Sequence, residues 1–221
     1  MKTLLVIGLL LLVVSAYPLY LMALEITVSH RAYERYGLHQ HSGTNYDYKS
    51  AEFAGHHAIL SDGPLFDAKP TVSTGIDGKD YSLRSPIERD ERGGYHSWAQ
   101  ILTLTDRKNN QARLAVVQRV AGKNYPDDTR YRILFLSSDG TVSEEWFSYP
   151  DRSEPVYRAM LAQYVHPEPL GIKSQVMAFW PTIFYPILYP WISGFIGLLL
   201  SLVASAFLLL TKRRRRIHAE E

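Results

Sequence analysis

Not one of the 221 residues is a cysteine. That excludes disulfide staples, thiolate metal sites and cysteine-based catalysis. Asn-x-Ser/Thr acceptors are missing as well, which points away from a eukaryotic secretory protein and towards a bacterial inner membrane. There is no Gly-x-Ser-x-Gly, no His-Glu-x-x-His, no phosphate-binding loop and no dinucleotide fingerprint. The familiar hydrolase, zinc-protease, nucleotidase and dehydrogenase signatures are therefore all unavailable, and no cofactor is expected. Internal repeats and low-complexity tracts are lacking too.

Charge is missing from both ends. Thr3 to Leu24 is a run of 22 residues without Lys, Arg, His, Asp or Glu, preceded by Lys2. A helix of about 20 apolar residues spans the hydrocarbon of a bilayer, so residues 1–24 read as a transmembrane anchor. Val14-Ser15-Ala16 also has the small-residue pattern of a signal-peptide cleavage site. The apolar run continues past it through Tyr17, Leu19, Tyr20, Leu21, Met22 and Leu24, which favours retention over cleavage. Trp191 to Thr211 is again uncharged, and at about 1.5 Å per residue its length is about 31 Å. Lys212, Arg213, Arg214, Arg215 and Arg216 follow at once; such clusters stay cytoplasmic, and they attract anionic lipid headgroups. Trp180, Tyr185, Tyr189 and Trp191 mark the opposite boundary, where aromatic rings settle among headgroups. Between them, Val176 to Pro190 is broken by Pro181, Pro186 and Pro190 and reads as an interfacial segment or collar. The C-terminus is then cytoplasmic and residues 25–175 form an extracytoplasmic, periplasmic domain.

That domain is nearly neutral. Lys2 and residues 212–216 hold 6 of the 24 cations, and Glu220 and Glu221 hold 2 of the 22 acids, leaving 18 cations against 20 acids between the spans. A nucleic-acid partner is excluded on that balance. From His96 to Tyr149 four segments alternate apolar with polar residues around turn signals at 106–110, 124–128 and Asp139-Gly140. An antiparallel meander over 96–149 follows, with Ala112, Leu114 and Val116 or Tyr131, Ile133 and Phe135 on a core and Arg113, Arg119, Arg130 and Arg132 on a wet face. Ser153 reads as the N-cap of a helix over 154–165, with Pro155 in its first turn. The region 37–94 offers two or three short strands in long loops. The fold expected is a membrane-anchored α+β protein: two transmembrane helices flanking a mainly antiparallel β domain with one short helix.

Chemistry-bearing groups are sparse. His39 and His41 would share a face of a strand, and His56 and His57 with Asp62 or Asp67 complete the candidate metal ligands; no metal site is assigned from them. Glu144 and Glu145 are adjacent on a strand and so point to opposite faces. The second span carries Ser193, Gly197, Ser201 and Ser205, a ridge of small side chains at four-residue spacing. Such ridges let helices approach closely in lipid, where apolar surface alone does not drive association. Its partner is either the chain's own first span, through Gly8 and Ser15, or another protein or a second copy. Three function classes result. The first is a non-enzymatic protein-binding module, either an accessory or assembly subunit of an inner-membrane complex or an immunity-type protein. The second is a membrane-tethered enzyme or metal-binding protein using the histidines, and the third a pore component, disfavoured by the uncharged spans.

Overall fold

The computed structural model describes residues 2–41, 48–62, 71–84, 99–120, 129–166, 170–174 and 189–217. Helix α1 (Lys2–Arg35) opens the chain and helix α3 (Tyr189–Ile217) closes the described part. Between them come β1 (Tyr36–Gln40), β2 (Tyr48–Phe53), β3 (His56–Asp62), β4 (Thr71–Ile76), β5 (Lys79–Asp80), β6 (Leu83–Arg84), β7 (Ala99–Asp106), β8 (Gln111–Val120), β9 (Arg130–Leu136), β10 (Val142–Ser148) and the short helix α2 (Tyr157–Ala162). The class is α+β, with two apolar terminal helices flanking antiparallel sheets. Two compact units are formed, one from Met1–Thr27 with Lys173–Glu221, the other from Val28–Ile172.

In the second unit a central sheet has the order β1-β7-β8-β9-β10, every pair antiparallel. A second antiparallel sheet runs β2-β3-β4-β5, with β6 also on β4. It extends the two or three short strands expected over 37–94 to five that pair in one sheet. Its hairpins close on two-residue turns, Ala54-Gly55 and Asp77-Gly78, in which all four residues have positive φ. Mirror-image turns of this kind match the right-handed twist of the flanking strands.

The central sheet is covered on both faces, because successive side chains of a strand point opposite ways. Leu114, Val116, Leu134 and Leu136 pack with Ala51, Ala58, Leu60 and Ile76 of the second sheet. Ala115, Val117, Tyr131, Ile133 and Phe135 pack instead with Ala32 of α1 and with Met160 and Leu161 of α2. The wet face expected for β8 and β9 is dry along most of its length: Arg130 is exposed and Arg113 half-buried, while residues 114–119 and 131–136 are all buried. Arg132 and Arg119 are among them, and because Arg119 pairs with Tyr131 while Arg132 pairs with Gln118, the two arginines occupy opposite faces rather than one row.

Two helix boundaries also differ from expectation. Helix α1 continues to Arg35, eleven residues past Leu24, because Val28 and Ala32, one helical turn apart, have the core to pack against. The helix expected at 154–165 is reduced to Tyr157–Ala162, preceded by a 3-10 turn at Pro150–Ser153. Glu154 is extended (φ −141°, ψ 119°), the conformation favoured before proline, so Ser153 caps nothing and the helix begins beyond Pro155.

Candidate functional site

The two terminal helices are long and apolar enough to cross a membrane, and within the first unit they meet along a seam of small side chains. Ser15 of α1 is 1% exposed and Ser193 of α3 6% exposed, with their hydroxyl oxygens 2.6 Å apart. Each oxygen also lies within reach of the carbonyl one turn earlier, Leu11 at 2.7 Å and Tyr189 at 2.6 Å. A hydroxyl has one proton, so one serine donates across the seam and the other donates back to its own helix.

Further along, Gly8 meets Gly197 and Ser201. A Cβ placed on Gly8 would stand 2.5 Å from Ser201 Oγ and 2.8 Å from the Gly197 carbonyl; one on Gly197 would stand 2.8 Å from the Gly8 carbonyl. Only hydrogens fit there, which aims each glycine's Cα–H at the opposite carbonyl, a weak attraction that recurs at close helix crossings. Because Ser15 pairs with Ser193 while Gly8 faces Gly197 and Ser201, the two helices run antiparallel. Ala204 is fully buried beside this seam and Ser205 only partly. The ridge at 193, 197 and 201 is thus filled from within the chain.

The outward surfaces of both helices are apolar and exposed, including Leu10, Val13 and Val14 on one and Phe195, Leu202 and Val203 on the other. Tyr17 and Tyr20, then Tyr189 and Trp191, are exposed aromatics towards one end of the hairpin. Trp180, Tyr185 and nearly all of the proline-broken collar lie outside the described residues. Lys212 is exposed, and Arg213 to Arg216 continue α3. Past the apolar run of α1, Glu25 is buried, and its Oε2 accepts the backbone N–H groups of Lys173 and Ser174 at 2.8 Å each. Spacing alone could not pair residues so far apart in sequence.

In the β unit the prominent polar side chains hold the fold. Arg132 Nε donates to Glu144 at 2.9 Å and its NH1 donates to the Tyr81 carbonyl at 2.6 Å, while Trp146 Nε1 donates to the same Glu144 oxygen. Burial pushes the Glu144 carboxyl up, but the hydrogen bonds from Arg132 and Trp146 outweigh it and leave the pKa below the ordinary value. Glu145, on the opposite face, receives Tyr157 OH and Arg158 Nε. Burial and the bond to Glu145 push the Tyr157 phenol up to about 12. In the core, Tyr131 OH lies 2.5 Å from His166 Nδ1.

The four candidate histidines separate. His39 and His41 come together, with ring centroids 5.2 Å apart. His56 instead meets Asp77, Nδ1 to Oδ2 at 2.6 Å, and its ring lies over Gly140. The backbone N–H of His57 and the ring of His56 together hold the Asp77 carboxyl below its ordinary value. Asp67 lies outside the described residues. Among those described, no three His, Asp or Glu side chains are grouped to hold a metal ion.

Comparison with protein-family models, curated proteins and solved structures finds no match. Sequence reasoning missed Glu25, whose position just after the apolar run was its only signal, and the Arg132–Glu144–Trp146 group, whose alternation resembled a solvated row.

Proposed function

We propose that this protein is a two-pass component of a bacterial inner membrane. Its β unit lies outside the cytoplasm and acts by binding another protein, as an accessory or assembly subunit of a membrane complex or as an immunity-type protein. The observation that carries the reading is the seam at Gly8, Ser15, Ser193 and Gly197, which joins two segments of opposite direction. A cleaved leader would have no reason to match the last helix residue for residue, so the first span is retained. With antiparallel spans, both chain ends lie on one side, and the cations at 212–216 place that side in the cytoplasm. The apolar outer surfaces face lipid.

A binding role is supported by how the β unit uses its polar groups. Glu144, Glu145, Arg132, Arg158 and His166 are engaged with neighbours in the fold rather than converging on a space for substrate. Trp146, 45% exposed on β10 at the edge of the central sheet, offers the aromatic anchor typical of binding surfaces. Reporter fusions test the topology: a fusion after Glu221 is active in the cytoplasm and one within the β unit only outside. A photo-crosslinking residue at position 146 tests the role, giving a discrete protein adduct in intact cells that a probe at lipid-facing Val203 does not give. An outward C-terminal reporter refutes the topology, and the same adducts from both positions refute the binding surface.

A further inference from the structure

His39 and His41 are the only two of the four early histidines brought together, and their surroundings differ from those of His56 and His57. His56 and His57 are consecutive on β3 and project to opposite faces, and His56 is committed to Asp77. His39 lies on β1 opposite Thr103. His41 continues the ladder, its N–H donating to the Ile101 carbonyl at 3.0 Å. Two residues apart on an extended strand, the imidazoles share one face, and their rings meet edge to face at 5.2 Å.

Thr103 Oγ1 lies 2.8 Å from His41 Nε2. With Nε2 carrying the proton and donating to the hydroxyl, the Nδ1 lone pair is left free; a ligating histidine commonly has its other ring nitrogen anchored in this way. With metal–nitrogen bonds of about 2.0–2.1 Å, two imidazoles on a tetrahedral ion hold their ring centres about 5 Å apart.

We propose that His39 and His41 form an open two-histidine site for a divalent transition-metal ion of the kind imidazole prefers, zinc, nickel, copper or cobalt, with water in the remaining positions. Having two protein ligands, it binds more weakly than a closed structural site and exchanges its ion. This site is independent of the protein-binding reading.

The full chain, purified in detergent without a histidine tag, is titrated calorimetrically with zinc and separately with nickel. Saturable binding of one ion per chain is expected, weakened at least tenfold in His39→Ala or His41→Ala, and roughly tenfold in Thr103→Val because the anchor is lost. A His56→Ala/His57→Ala variant keeps the wild-type affinity. A second measurement needs no variant: zinc protects His39 and His41, and leaves His57 open, to carbethoxylation read by mass spectrometry. Absence of saturable binding, unchanged binding in a folded His39→Ala/His41→Ala variant, or protection falling on His56 and His57 instead overturns the proposal.

Discussion

Replacing Ser15 and Ser193 together by cysteine tests the helix seam directly, because the chain has no other thiol. The two hydroxyl oxygens are 2.6 Å apart, close to the positions that bonded sulfurs occupy at about 2.0 Å. Mild oxidation of intact membranes is expected to form a disulfide within one chain. After site-specific cleavage between the helices, the fragments then migrate together on a non-reducing gel and separate on reduction. Adding Gly197→Leu should suppress the crosslink. Its Cβ alone would stand 2.8 Å from the Gly8 carbonyl and 3.0 Å from the Leu12 backbone nitrogen, atoms that cannot rotate away, so the helices must separate. Overpacking costs about 1–3 kcal/mol, which lowers the closed-to-open ratio about 5- to 160-fold. Crosslinking as fast with leucine as with glycine at 197 would refute the seam, as would disulfide dimers in place of the internal bond.

Other perturbations address the β unit. Glu144→Gln leaves the buried Arg132 guanidinium without its carboxylate and is expected to cost about 1–2 kcal/mol, since Glu144 is partly exposed; thermal unfolding in detergent would show a Tm lower by about 3–6 °C. The Tyr157 pKa is raised from 10.0 to about 12, so its stabilising effect is complete below pH 10 and is lost as pH climbs through about 12. Tyr157→Phe should flatten the fall in Tm across that window, and a slope equal to wild type would contradict the assignment. Gly140→Ala combines a φ of +81° with a contact to His56 at 2.7 Å, whereas Gly55→Ala meets only the φ of +87°. Both should lose about 1–2 kcal/mol from backbone strain, and Gly140→Ala should lose measurably more, as read by denaturant midpoints.

The two terminal helices were legible because long uncharged runs, a flanking block of cations, and small residues at a fixed spacing need no tertiary context to be seen. The ridge at 193, 197 and 201 was visible as a pattern, but its occupant depended on Gly8 and Ser15 lying at matching heights on another helix, which periodicity in one segment does not encode. In the β unit, the alternation around Arg130 and Arg132 located strands yet misassigned a face. A guanidinium that spends its donors on Glu144 and the Tyr81 carbonyl can be buried, and no local pattern reveals those partners. The second sheet was hard to see because its strands are short and carry polar residues at buried as well as exposed positions, Lys49 and Thr74 buried and Glu52 exposed. The available signal was Asp77-Gly78, a hairpin dipeptide between Ile76 and Lys79. His39 and His41 were correctly placed on one strand face by spacing alone, whereas the capture of His56 by Asp77 depends on the turn geometry.

The seam joins residues 178 positions apart, and that separation has a consequence for how the protein is made. At about 5–20 residues per second, Ser193 leaves the ribosome some 10–40 seconds after Ser15. Through that interval the notch of glycine and serine on helix α1 stays unfilled, in the bilayer on the topology proposed above, and Glu25 awaits the backbone of Lys173 and Ser174, equally late arrivals. Nascent chains halted before α3 would therefore display a half-built hairpin, a ready mark by which quality control could tell unfinished copies from complete ones.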